Sequence, residues 1–390
     1  MKLNQIVEFK SERLFNGAVN IDWFTSDPQR ADLASEAFVF HGPTYHGVKQ
    51  EEIGYSHGHK LVDNASFIKA IIDRCVGVED QPFTLAIAGY GTGKSHLGLT
   101  IASLMKSPNS KTSEKVLHAI SNADKEIACS IQKLILDRKK PTLVVALNGM
   151  KGFDLTAEIV RQIIHTLKED GHDTKALDDL RPRFKQAISL VEVSNEVVRE
   201  ELVKYCSNTP VPRIIEELGK QEEVVYKEVH EFFEKKGMPI RALSGDSVKD
   251  IIDIAVKEYC GKEKPYGSIL ILFDEFGKYT EFATVKSQIA GTGVLQDLFE
   301  SVQSNSSLVC FVGFIQFELN AYVGRVASEF KNEIVRYVTR YQSADKLYLS
   351  INLETLIANL IEKKRSDLLN QKFDTASSFS QSKLTIEKMS

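Results

Sequence analysis

Apolar residues along the chain follow two patterns, which together predict an alternation of strands and helices. Four short, nearly continuous apolar runs and a fifth segment that alternates apolar with polar residues have the length of a strand. These predicted strands lie at 82–89, 141–149, 268–276, 306–318 and 345–353. Apolar residues elsewhere recur at helical spacing. Because the two patterns alternate, we predict a parallel sheet covered by helices.

The predicted helices of this core begin mostly at capping residues or glycines. They lie at 63–76, 94–105, 125–139, 154–170, 291–305, 326–341 and 354–369. The polar stretch 106–115 is interpreted as a break between two helices. A short apolar run at 35–43 fits a strand.

The segment from about Glu169 to Lys264 differs from the rest because it is charged, poor in strand patterns and periodic at helical spacing. The sequence TPVPR at 209–213 separates two of its helices. We interpret the segment as a packed helical subdomain inserted between two core strands. A partner-binding surface is the alternative, since long amphipathic helices serve both purposes.

The segment AGYGTGKSHLG, Ala88 to Gly98, joins the first predicted strand to a helix. Such a loop binds phosphate because successive backbone N–H groups converge on the anion where a helix begins. Gly89, Gly91 and Gly93 are expected to supply the positive φ angles that this requires. Ala88 stands where the usual pattern has glycine, at the end of the strand, where a positive φ is not needed.

Two side chains after the last glycine complete this pattern. Lys94 is predicted to reach the β- and γ-phosphates, and the Ser95 hydroxyl to ligate Mg²⁺. A glycine-rich helix start with a chance Gly-Lys-Ser is the alternative interpretation. The predicted nucleotide-binding residues are Gly89, Tyr90, Gly91, Thr92, Gly93, Lys94, Ser95 and His96.

Two acids end the buried run ILILFDEF. We predict that Asp274 holds Mg²⁺ together with Ser95, and that Glu275 is the general base. A buried strand that ends in two carboxylates is costly unless a cation or water meets them. The loop and the acids together predict a magnesium-nucleotide site with hydrolysis.

Further polar residues follow at the carboxyl edge of the predicted sheet, where ligands bind in α/β proteins. Gln316 ends the next strand and is predicted to sense the γ-phosphate or position water, although a glutamine that starts a loop is the alternative. Arg340, and after it Arg336, are predicted to reach the nucleotide of a neighbouring subunit. Ordinary surface charge on a helix is the alternative for both.

Charge and cysteine content narrow the classes of function. The net charge of −4 leaves no overall basic surface for nucleic acid. Five scattered cysteines without CxxC spacing favour a reducing compartment. No apolar run has membrane-spanning length and the start lacks a signal-peptide pattern, so we expect a cytoplasmic protein. His41, His46, His57 and His59 crowd one region without metal-site spacing, and we expect a loop there.

With the glycine loop, LFDEFGKY and GFIQFELNAYVGRVASEFKNEIVRYVTRY, the chain resembles AAA+ and STAND-type P-loop ATPases. More narrowly, it resembles the N-terminal ATPase portion of large bacterial antiphage-defence ATPases of the BrxC and RADAR kinds. The resemblance implies a three-layer αβα P-loop fold that binds ATP and Mg²⁺. It also implies a homo-oligomer with a nucleic-acid or effector-protein partner, and a role for Arg340 in the TRY segment. ATP is expected over GTP from this resemblance.

The sequence pattern, together with the resemblance for the last part, suggests a division of the chain. The expected parts are an N-terminal extension at 1–62, the first part of the ATPase core at 63–168, the helical insertion at 169–264, the second part of the core at 265–353, and a truncated helical lid with a polar tail at 354–390. The expected function is an ATPase that couples hydrolysis to assembly or remodelling in antiphage defence. A nucleotide-gated switch with little turnover and a nucleic-acid translocase are the alternatives.

Overall fold

The protein is an α/β protein with a parallel sheet flanked by helices. Its structure, a computed structural model, describes residues 7–10, 15, 17–45, 48–49, 61–178, 182–220, 222–238, 247–291, 293–350, 357 and 360–363. The strands of this part are β1 Val7–Phe9, β2 Thr44–Tyr45, β3 Val48–Lys49, β4 Leu61–Val62, β5 Phe83–Ile87, β6 Leu143–Asn148, β7 Ile269–Asp274, β8 Val309–Ile315, β9 Asp345–Leu349 and β10 Ile361–Lys363.

Six of these strands form one sheet in the order β4-β9-β5-β8-β7-β6. The pairs β5–β8, β8–β7 and β7–β6 are parallel, and nearly every residue of these four strands is buried. Covering both faces of a parallel sheet requires apolar residues at successive positions rather than at alternate ones. This requirement explains the continuous apolar runs in the sequence, and all five predicted strands are confirmed.

Helices account for most of the remaining described residues. They are α1 Trp23–Ser26, α2 Pro28–Glu36, α3 Asn64–Cys75, α4 Lys94–Lys106, α5 Lys111–Ala123, α6 Lys125–Arg138, α7 Leu155–Glu169, α8 Lys175–Asp178, α9 Pro182–Val193, α10 Glu196–Tyr205, α11 Val211–Gly219, α12 Glu223–Lys235, α13 Val248–Tyr259, α14 Phe276–Val285, α15 Ser287–Ala290, α16 Val294–Ser304, α17 Leu319–Val323 and α18 Lys331–Arg340.

Three local predictions are wrong. The run 35–43 contains the end of α2 followed by loop, and no strand, because Phe38 and Phe40 pack against each other and Phe38 against His96. The polar stretch 106–115 includes the start of α5, which Ser110 caps by accepting from the Ser113 N–H. Residues 361–363 of the predicted last helix form β10, which pairs with β1 in antiparallel register. Residues 364–390, which include the end of this predicted helix, lie outside the described residues.

The described part of 169–264 is helical and holds a core of its own. Buried residues from α9 to α12 and the residue after α10 pack into one apolar cluster. They are Phe184, Ala187, Val191, Leu202, Cys206, Ile214, Leu218, Tyr226, Val229, Phe232 and Phe233. The amphipathic spacing in the sequence is thus used for packing within this segment.

Contacts divide the chain into two compact units. The first comprises Met1–Ala70, Ala88–Asp137 and Leu347–Ser390, and the second comprises Ile71–Ile87 and Arg138–Lys346. In the first unit, α2 packs against α4 and α5. In the second, the strands β5 to β8 form the core, with α7 on β6 and α14 on β8. This division differs from the domain boundaries expected from the sequence, which stay a prediction.

Candidate functional site

The glycine loop leads from the end of β5 at Ile87 to the start of α4 at Lys94. Gly91 and Gly93 have φ angles of 73° and 81°, which side chains rarely adopt. A Cβ atom at either position would meet nothing within 4 Å, so the backbone conformation alone requires glycine. The expectation of a positive φ at Gly89 is wrong, since Gly89 lies outside that region. Ala88 is buried at the first position of the loop, again without a positive φ.

Lys94 is a buried cation that contacts the beginning of its own loop. Its Nζ donates hydrogen bonds to the carbonyl oxygens of Ala88, at 2.9 Å, and Gly89, at 2.8 Å. Only 6% of the residue is exposed. A buried ammonium is costly unless its protons are bonded, and these carbonyls satisfy two of them. The loop therefore holds its cation in place through its own backbone.

The other predicted residues of the loop have different surroundings. Tyr90 is 90% exposed at the tip, and the Thr92 hydroxyl donates to the Gly89 carbonyl at 3.0 Å. Ser95 lies half-buried in the first turn of α4. The His96 ring lies 2.6 Å from the Ala34 carbonyl oxygen, and burial lowers its pKa. The His96 side chain thus packs toward α2.

The acid pair lies at the carboxyl end of β7. Asp274 is the last residue of the strand, is 5% exposed and stands in register with Asn148 of β6. Glu275 follows with φ 53° and ψ 37°, a left-handed conformation that is uncommon for a residue with a side chain. Its carbonyl comes so close to Gly149 that a Cβ there would lie 2.5 Å from the Glu275 oxygen. Gly149 therefore makes room for this turn.

Glu275 contacts Gln316, the residue that follows β8. The Gln316 Nε2 donates a hydrogen bond of 2.9 Å to the Glu275 Oε1. The other carboxylate oxygen, Oε2, is buried without a hydrogen-bond partner and lies 3.7 Å from the Nζ of Lys278. One oxygen is thus fixed by an amide, and the second keeps lone pairs for a donor such as water. The structure brings together two residues that the sequence placed on separate strands.

The predicted arginines occupy the last helix before β9. The Nη1 of Arg340 lies 3.8 Å from the Glu300 Oε1 of α16, and both side chains are partly exposed. Arg336 is exposed on α18. The Arg325 guanidinium instead lies over the rings of Phe317 and Tyr322, directly beyond Gln316. Neither predicted arginine has a described contact with Glu275 or Gln316.

Two neighbours of the acid pair were not among the predicted site residues. Lys278 could have been found, because it follows Glu275 by three residues on the helix that begins at once after the acids. Tyr322 carries no sequence signal for its contact with Gln316, since that contact depends on how α17 packs.

Comparisons with known proteins add no relative, since no protein family, curated protein or solved structure matches the chain. In the part of the chain that the structure describes, no helix is long and apolar enough to cross a membrane. All five cysteines are free thiols, and those other than Cys129 are buried. His41 is described, whereas the three other histidines of its region lie outside the described residues.

Proposed function

We propose that the chain is a magnesium-dependent P-loop ATPase. The observation that carries this proposal is the hydrogen bond between Gln316 and Glu275 at the ends of neighbouring parallel strands. Ligands of α/β proteins bind at the carboxyl ends of parallel strands, and a carboxylate there with one free oxygen suits a general base. Glu275 is then the base that accepts a proton from the attacking water, and Gln316 orients that water.

The glycine loop supplies the phosphate-binding part of the proposal. Its geometry suits this role because Gly91 and Gly93 turn the backbone just before α4 begins, where N–H groups have no partner within the helix. Lys94 is the cation that compensates the charge of the β- and γ-phosphates. Its bonds to the Ala88 and Gly89 carbonyls keep it at the loop before the nucleotide arrives.

The chemistry of the acid pair fits a magnesium ion. Mg²⁺ prefers oxygen ligands, and Asp274 is a buried carboxylate beside a second carboxylate that has an unbonded oxygen. Asp274 would be its carboxylate ligand, and the Ser95 hydroxyl is the second ligand that the sequence predicts. When bound, the ion neutralises the charge on the phosphate oxygens. The residues of the chain do the rest, namely binding the phosphates, orienting the water and accepting its proton.

The contact between Glu275 and Lys278 favours a second candidate, a nucleotide-gated switch with little turnover. The Lys278 ammonium lies 3.7 Å from the Glu275 Oε2, the oxygen that an attacking water would have to approach. In this alternative, ATP binding organises an assembly and hydrolysis is slow. Binding and turnover measured on one preparation separate the two candidates.

The biological part of the proposal rests on the resemblance of the motifs. In this proposal the protein is a cytoplasmic homo-oligomer. Its ATP turnover drives assembly or remodelling in antiphage defence, and its partner is a nucleic acid or an effector protein. Arg340, or Arg336 in its place, would then act on the nucleotide of a neighbouring copy, since both lie exposed or partly exposed on α18.

The experiment that tests the proposal measures ATP affinity and phosphate release with and without Mg²⁺. The ATPase candidate predicts tight binding together with sustained magnesium-dependent release. Tight binding without sustained release favours the switch. A chain that binds neither ATP nor GTP contradicts both candidates.

A further inference from the structure

Tyr322 joins the two elements that carry Glu275 and Gln316. It lies on α17, six residues after Gln316, and is 1% exposed. Its phenolic oxygen accepts a hydrogen bond from the backbone N–H of Gln316 at 3.4 Å. A backbone N–H past the end of a strand has no partner in the sheet, and here the hydroxyl supplies one. The hydroxyl therefore fixes the backbone from which the Gln316 side chain extends.

The ring of Tyr322 also contacts the beginning of α14. A Cβ atom on Gly277 would lie 2.2 Å from the Tyr322 Cζ, so the ring occupies the space that any other side chain at 277 would fill. Gly277 is two residues beyond Glu275. One side chain thus touches the helix start that carries the acid and the strand end that carries the amide.

We propose that Tyr322 is a positioning residue that holds Gln316 in hydrogen-bonding distance of Glu275. Arg325 holds the Tyr322 ring in place. The Arg325 guanidinium lies 4.9 Å from the centre of the Tyr322 ring and 4.8 Å from the centre of the Phe317 ring. Its Nη1 lies 3.9 Å from the Oε1 of Glu281 on α14. Arg325 therefore connects the same two elements at the surface.

This inference rests on the proposed ATPase function. Removing the hydroxyl leaves the Gln316 N–H without its phenolic partner, and the residues after β8 can then shift. Gln316 then contacts Glu275 in a smaller fraction of molecules, and the attacking water is oriented less often. Because displacements of about 1 Å can cost up to 100-fold in rate, we expect Tyr322→Phe to lower kcat by roughly 10-fold. KM should stay unchanged, because the glycine loop is not altered.

The test is a double-mutant cycle on the full chain, with phosphate release as the readout. Tyr322→Phe should lower kcat in the wild-type background and add no further loss to Gln316→Ala, because both changes remove one function. Tyr259→Phe is the matched control, since its hydroxyl bonds the Asp173 carbonyl at 2.8 Å in the helical segment. The control should leave kcat unchanged. If Tyr322→Phe fails to fold, the surface variant Arg325→Ala replaces it in the cycle. Arg325→Ala should show the same loss of kcat, and this loss should also be absent in the Gln316→Ala background.

The outcomes separate this inference from the proposed function. Equal kcat for wild type and Tyr322→Phe, or losses that add to those of Gln316→Ala, overturn the positioning role while leaving the ATPase proposal intact. A wild-type chain without turnover overturns both. A loss of kcat that disappears in the Gln316→Ala background supports the positioning role.

Discussion

The amide of Gln316 donates a 2.9 Å hydrogen bond to the carboxylate of Glu275, across the ends of β8 and β7. Glu275 also has a left-handed backbone conformation, which for a residue with a side chain costs about 1 to 2 kcal/mol. Strain of this kind persists only where the surrounding structure over-determines it, and such positions cluster at functional sites. The strained backbone and the hydrogen bond to Gln316 together are the physical reason why we propose Glu275 as the base.

Lys94→Ala should weaken ATP binding by about 100-fold, or about 2.7 kcal/mol, because it removes a charged donor to the phosphates. Equilibrium titration with a fluorescent ATP analogue measures the change. The matched control is Lys115→Ala, an exposed lysine of α5 that pairs with Glu36. Equal affinity of Lys94→Ala and the control would contradict the phosphate role, provided that circular dichroism shows both folded.

Gly93→Ala should lower the free energy of unfolding by about 1 to 2 kcal/mol, since alanine resists its φ of 81°. Gly89→Ala is the matched change, because its φ is ordinary and the nearest atom to an added Cβ is 3.9 Å away. That variant should differ from wild type by less than about 0.5 kcal/mol. Urea unfolding curves compare the two. Equal losses for both variants would show that crowding, and not the backbone angle, governs this loop.

Stability should fall as the pH drops from about 6.5 to about 4, in part because of His41. Burial lowers the pKa of His41 to about 4, and its Nε2 lies 3.0 Å from the Ser350 hydroxyl oxygen. Between the two pKa values the unfolded chain binds a proton that the folded chain does not, so acid favours unfolding. His41→Asn should remove about 1 to 3 kcal/mol of this pH dependence, measured by urea unfolding at several pH values. Parallel pH profiles for the variant and wild type would exclude His41 as the source.

Arg340→Ala should change the stability of the chain by less than about 0.5 kcal/mol, because its ion pair with Glu300 is partly exposed. Its effect should appear in activity instead, if it acts on a neighbouring copy. Mixing Arg340→Ala with Lys94→Ala protein should then restore part of the phosphate release that each lacks alone. Mixtures as inactive as their components would argue against action between subunits.

The sheet could be predicted from the sequence because its central strands are buried on both faces. Such strands appear as continuous apolar runs, and each run found this way is a strand. The edge strand β4 was missed since Leu61–Val62 is too short to form a run. Helix α5 was missed because its buried side includes few large apolar residues, of which Val116 and Ile120 are the clearest, in an otherwise polar stretch.

The sequence allows the residues of the candidate site to be predicted, but not the contacts between their side chains. Glu275 and Gln316 each follow directly after a predicted strand, and the ends of parallel strands lie at the same edge of a sheet. Their hydrogen bond depends on side-chain directions, on the turn at Glu275 and on the room that Gly149 leaves for it. The role of Tyr322 depends on the packing of α17 against α14, which no local pattern specifies.

The most direct test of the central claim is the rate of magnesium-dependent phosphate release from ATP by Glu275→Gln. Glutamine keeps the size and the position of the side chain but cannot accept the proton of the attacking water. The account predicts a kcat that is about 100- to 10,000-fold lower, with ATP affinity retained. Glu329→Gln, an exposed control, should keep the wild-type rate. Turnover at the wild-type rate by Glu275→Gln would contradict the assignment of Glu275 as the base and with it the proposed mechanism.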